Sequence, residues 1–235
     1  VTFSDLQQNA TTLAIRTTTG NIVYTDANGF TVGAVNGVVG VVTDVGAVSL
    51  TAATGNITVF NAAAANDIAA TTTIALLAAA DNASIVLASG ANINSTGGAH
   101  SYVADDLSII GTITATGQAV TLRSSTAGDA IDLGDAVGGG DNVANTLELT
   151  NAELANITGA ITVGGSVAGA IIVSADVTPG GDTLRLVTGS TVTATAGGVI
   201  ETNLSVTAGG AVTFSDAQQN ATTLAIKTTT GDITY

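Results

Sequence analysis

The chain has 235 residues, with 18 acidic against four basic side chains, a formal net charge of −14, and no cysteine, methionine or tryptophan. That imbalance disfavours nucleic acid or an anionic membrane as partner, since both need a basic footprint, and the lack of cysteine removes disulfides and thiol chemistry. Aromatic residues are 3% of the chain, so a core must be built from small and β-branched side chains in thin, even layers.

Residues 1–24, VTFSDLQQNATTLAIRTTTGNIVY, return as residues 212–235, VTFSDAQQNATTLAIKTTTGDITY, with four differences: Leu6/Ala217, Arg16/Lys227, Asn21/Asp232 and Val23/Thr234. Self-similarity at a fixed period of 211 residues marks a repeat architecture. Residues 1–211 are therefore expected to form one module, and residues 212–235 to begin its next copy.

Between the two copies, strand signals come as short apolar–small–apolar triplets: 13–15 (LAI), 22–24 (IVY), 30–32 (FTV), 48–50 (VSL), 57–59 (ITV), 85–87 (IVL), 107–109 (LSI), 120–122 (VTL) and 131–133 (IDL). The second half continues with 147–149 (LEL), 161–163 (ITV), 171–173 (IIV), 184–186 (LRL), 204–206 (LSV) and 212–214 (VTF). Period-2 alternation over so short a span means one buried and one solvated face. Spacings of about 8–14 residues suit an antiparallel sandwich or a parallel solenoid. Aliphatic inward positions, the long period and the scarcity of hairpin signatures (Asn28-Gly29 and Asn36-Gly37 are the only Asn-Gly pairs) favour the solenoid. Two stretches depart from the pattern. The alanine-rich residues 61–80 read as a coil with one irregular side, and Thr150 with Glu153 forms a capping-box pattern that predicts a single helical turn. No run of 18 apolar residues occurs, so no transmembrane segment is expected, and any export signal is expected outside this segment.

Residues 131–158, IDLGDAVGGGDNVANTLELTNAELANIT, followed by ITVGG (161–165) and AGAIIVSADV (168–177), resemble the large β-strand-repeat exoproteins of bacteria, the filamentous-haemagglutinin-like surface proteins and adhesins. SLTAATGNITV (49–59) and LAIKTTTGDITY (224–235) are similar to the same group, while the insertion at 135–144 departs from it. The resemblance implies an all-β, right-handed parallel β-helix, secretion to the cell surface, and a role in adhesion or fibre formation. It carries over no catalytic residues. At 20–22 residues per turn, one period makes about ten coils.

Candidate sites are few. His100, the only histidine, reads as a solvated or capping loop residue, although Ser95 or Ser101 stands close enough in sequence to suggest a nucleophile pair. Asp129, Asp132, Asp135 and Asp141 lie among glycines that would let several carboxylates turn onto one calcium ion, yet neither established calcium-loop spacing is present. Asp105, Asp106 and Arg123 are the nearest approach to the acid pair and cation of a polysaccharide-cleaving β-helix. The two Thr-x-Thr runs at 112–116 and 191–195 would place threonine ladders on an outer face. Together these features predict a structural repeat segment of an extracellular bacterial surface fibre, not an enzyme, with copies of itself as end-to-end partners. Host-cell or matrix carbohydrate is the further partner. The competing reading is a β-helix carbohydrate-active enzyme or carbohydrate-binding module.

Overall fold

The structure is a computed structural model describing residues 1–6, 8–62, 66–134, 143, 145–181, 183–194, 197–215 and 219–235. Strand takes up 54% of it and helix 2%, and the parallel sheets stack as a β-solenoid of about 9 turns. Each turn lays short strands on up to three faces. The first carries β1 (Thr2–Phe3), β2 (Thr12–Leu13) and β3 (Ile15–Thr17). The second carries β4 (Ile22–Asp26), β5 (Phe30–Val32), a hairpin of β6 (Ala34–Val35) and β7 (Val38–Val39), then β8 (Val41–Thr43). Next come β9 (Val48–Ala52), β10 (Ile57–Val59) and β11 (Ile68–Ala70), then β12 (Ile74–Ala78), β13 (Ser84–Leu87) and β14 (Asn92–Ser95). β15 (His100–Val103) and β16 (Asp106–Ile109) lead into β17 (Thr112–Arg123), which turns a corner and lies on two faces. There follow β18 (Ala130–Gly134), β19 (Thr146–Thr150), α1 (Asn151–Ala155) and β20 (Ile157–Gly165). The chain closes with β21 (Ile171–Val173), β22 (Thr183–Thr188), β23 (Val192–Ala194), β24 (Asn203–Ala208), β25 (Val212–Phe214), β26 (Thr223–Thr228) and β27 (Ile233–Thr234).

All fifteen triplets fall on strands, because parallel stacking places each inward residue on the inward residue of the next turn. On the first face one row runs Ile22, Val48, Ile74, His100, Val120, Ile161, Leu184, Leu204 and Leu224. Every member from Ile22 to Leu204 is buried, and each aliphatic one contributes at most about 1.5–3 kcal/mol of transfer free energy. The alanine-rich stretch is more regular than its composition suggested: it supplies β11 and β12, whose buried positions alternate with outward alanines. Among the described strands the single antiparallel pairing is β6 with β7, closed by Asn36 (φ 49°) and Gly37 (φ 82°). Both central residues of that type I′ turn need positive φ, which this Asn-Gly pair supplies. Asn28-Gly29 forms no hairpin.

The expected ten coils per period are too many. First-face register steps by 26 residues from Ile22 to Val48 to Ile74 to His100, longer than the 20–22 anticipated. It then steps by 41 from Val120 to Ile161. In that long step the chain crosses the second face twice, as β18 and then as β19, which pairs with β18 in parallel on the side facing β16. β18 in turn pairs with β21, so the second face is threaded out of sequence order.

β16 and β19 share no ladder, and α1 seals the gap. Its capping box is formed as the sequence predicts: the Glu153 N–H donates to Thr150 Oγ1, and the Thr150 N–H donates to Glu153 Oε2. The other carboxylate oxygen, Oε1, accepts the Ile109 N–H from β16 at 2.9 Å, and Asn156 Nδ2 donates to the Ile109 carbonyl at 2.9 Å. One helical turn thus satisfies the strand edge that the break leaves without a partner. Glu153→Ala removes a charged acceptor from two backbone N–H groups and is expected to cost about 2 kcal/mol in urea unfolding. A midpoint indistinguishable from the parent would show that the plug is dispensable.

Candidate functional site

The outward residues of the third face form one row in register, Arg16 on β3, Val42 on β8, Ala69 on β11 and Asn94 on β14. The β6–β7 hairpin rises beside this row and turns it into a trough of about 570 Å³, with Thr43, Asp44, Thr71 and Thr96 on the opposite rim. That volume lies within the range of small-molecule sites. Its lining is aliphatic and amide- or hydroxyl-bearing, with one ion pair, Arg16 to Asp44 at 3.7 Å, both side chains at least half exposed. Such a pair is worth no more than about 1 kcal/mol. No aromatic plate and no histidine lines the trough. It is shaped to hold a polar chain, and it presents no nucleophile beside a base. The sequence signal for it was the Asn36-Gly37 pair between AV and VV.

His100 is not the loop residue the sequence suggested. It sits on β15, 1% exposed, at an inward position of the first-face row. Ser95 Oγ donates to the Gly98 carbonyl at 2.6 Å, so it accepts from His100 Nε2–H at 2.7 Å; Nδ1 then accepts from the Tyr102 hydroxyl at 2.9 Å. This closed chain of hydrogen bonds assigns the tautomer. Burial holds the imidazole down to about 4, and the same burial pushes the Tyr102 hydroxyl well above its usual range. Ser95 and His100 do meet, but sealed inside the solenoid with no path for a substrate. Ser101 faces outward between them.

The acidic residues separate by alternation along their strands. Asp129 is buried on the inward side, whereas Asp132 lies outward on β18 and accepts a hydrogen bond from Ser174 Oγ at 2.6 Å. The two do not converge on one point. Asp135 and Asp141 lie outside the described residues, and among those described no group of three or more His, Cys, Asp or Glu side chains is placed to hold a metal ion. Asp105 and Asp106 also diverge: Asp106 accepts from Ser84 Oγ at 3.1 Å on the outer face, while Asp105 is 5% exposed. Arg123 is exposed at the end of β17, in register with Val103.

What the inward acids do is tie corners together. Asp26 accepts the N–H groups of Ala10 and Asn28, each at 2.9 Å, and the Tyr24 hydroxyl, which burial and then this carboxylate push up to about 12. Asp67 accepts from Ala62 and Asn92 N–H at 3.0 and 2.9 Å. In Asp105, burial raises the carboxyl, but donors from Ser125, Ser124, Asn82 and Thr126 outweigh it and hold the group well below the carboxylate range. These donors belong to corners where no ladder partner is available, so each acid is structural.

No known family, curated protein or solved structure matches the chain. Among the described residues no helix is long and apolar enough to cross a membrane.

Proposed function

We propose that this chain is a rod-forming structural segment of an extracellular bacterial surface fibre or adhesin, whose axial neighbours are copies of the same module. The observation that carries this reading is the repeated 24-residue stretch, which closes the same 21-residue coil at both ends of the solenoid. Thr2 pairs with Val23 in the first copy, and Thr213 pairs with Thr234, the same two positions, in the second. The inward core row also runs on to each end. Val1 and Phe3 are about half exposed at one end, as are Ile233 and Tyr235 at the other, although their register is that of core residues. A parallel coil left this way offers unpaired strand edges and an unfinished apolar layer to a further coil of matching pattern.

In solution the chain is expected to form rods that lengthen with concentration when followed by light scattering and negative-stain microscopy. Compact monomers at all concentrations would overturn the proposal for separate chains, and a covalent two-module chain that failed to form one continuous rod would overturn it altogether. The trough under the β6–β7 hairpin favours a second reading, carbohydrate binding along the third face. Incubation with cell-wall and matrix polysaccharides is expected to leave them uncleaved, and reproducible cleavage would replace the structural reading by an enzymatic one.

A further inference from the structure

The two copies of the repeated stretch close the same coil, but on different faces. In the first copy, Thr2-Phe3 and Val23-Tyr24 pair on the first face, in the ladder of β9 and β12. In the second, Val212-Thr213 and Ile233-Thr234 pair on the second face, in the ladder of β21 and β23. The aromatic rung is kept through the change. Phe3 meets Tyr24 edge-on at 6.4 Å and 68°, and Phe214 meets Tyr235 at 5.9 Å and 73°. The middle of the stretch moves with it. Ile15-Arg16-Thr17 lies on the third face, paired with β8, whereas the matching Ile226-Lys227-Thr228 lies on the first face, paired with β24.

Following the first-face ladder β1, β4, β9, β12, β15, β17, β20, β22, β24 gives eight turns, and β25 lies one face further on. The 211-residue period is therefore not a whole number of turns. We propose that successive modules of the rod are each rotated by one face, about a third of a turn, so that the first face of one module continues as the third face of the next. This rests on the rod reading above and specifies its interface. The neighbour is a second copy of the module, docked so that the strand matching β8 pairs with β26 and the strand matching β9 pairs with β27.

The geometry has a consequence for the surface. The hairpin and its trough stand on the third face, so in the next module they stand over the continuation of the first face. Three modules bring them back to the same side. At about 4.8 Å per turn, each module advances the rod by about 40 Å. Every side of the fibre then displays the trough in turn, and no single face runs the length of the rod unbroken. The change at Val23/Thr234 fits the new position: Val23 lies outward beside Ser49, whereas Thr234 completes an outward threonine row with Thr193 and Thr213.

The test uses residues 1–235 continued directly by residues 25–235, a two-module chain that uses the shared stretch once. The native sequence has no cysteine, so two introduced cysteines are the only thiols present. Lys227→Cys with Thr207→Cys probes whether the second copy stays on the first face, where these residues are in register. Lys227→Cys with Val42→Cys in the second module probes whether that module continues the ladder. Both pairs are expected to form disulfides to completion under mild oxidation. If only the second pair closes, the modules are aligned face to face, which overturns the rotation and leaves the rod intact. Failure of the second pair overturns the rod reading and the rotation with it, whatever the first pair does.

Discussion

Asp105→Ala is expected to cost about 4 kcal/mol, the largest loss from any single surface-distant carboxylate in the chain. Asp105 accepts from Asn82 N–H and Thr126 N–H, both at 2.9 Å, and from the hydroxyls of Ser124, Ser125 and Thr126 at 2.7, 2.6 and 3.0 Å. The hydroxyls can rotate toward other acceptors, but the two backbone donors cannot, and each buried orphan costs about 1–3 kcal/mol. Asp129 supplies the contrast. Ser124 Oγ lies 2.7 Å from Asp105 and 2.8 Å from Asp129, yet it has one proton to give. Asp105 holds four other donors and keeps its charge; Asp129 is raised, first by burial and then by the neighbouring charges of Asp105 and Asp81. Asp129→Asn removes that repulsion and is expected to change stability by less than about 1 kcal/mol. Urea midpoints for the two variants decide the matter, and equal losses would mean the shared hydroxyl does not discriminate between the carboxylates.

Acidification from pH 7 to pH 4 is expected to remove up to about 3 kcal/mol of stability through His100 alone. The folded imidazole titrates at about 4 against 6.5 when unfolded, because the interior penalises its charged form. Between these values the unfolded chain binds the extra proton, so stability is full above pH 6.5 and falls as pH drops toward 4. Protonation would also place a donor at Nδ1 against the Tyr102 hydroxyl, which has donated its own proton there. The raised Asp129 carboxyl acts in the opposite sense, since its protonated form is favoured in the fold as pH falls. Asp105, held low, begins to matter only below the ordinary carboxylate range. His100→Gln isolates the imidazole: the variant should lose most of the pH dependence between 6.5 and 4. An unchanged slope in its thermal unfolding would assign the acid sensitivity to the carboxylates instead.

Much of the architecture was legible in the residues. Alternation in triplets such as 48–50 and 184–186 is a local property, so it located strands and their buried sides without any knowledge of neighbours. The Thr150–Glu153 box and the Asn36-Gly37 turn are also local, since each is satisfied within four residues. The repeated 24 residues announced a coil that recurs. Three things were decided only by the stacking of turns. His100 reads as polar, so its place in an aliphatic row emerged only when 26-residue steps set it above Ile74. The corner acids Asp26, Asp67 and Asp105 became visible as ties only through backbone donors on other turns, up to 25 residues away. The same 24 residues could also lie on two different faces. Period-2 alternation tells a residue whether it points in or out; which of three faces it lies on depends on the summed lengths of every corner before it.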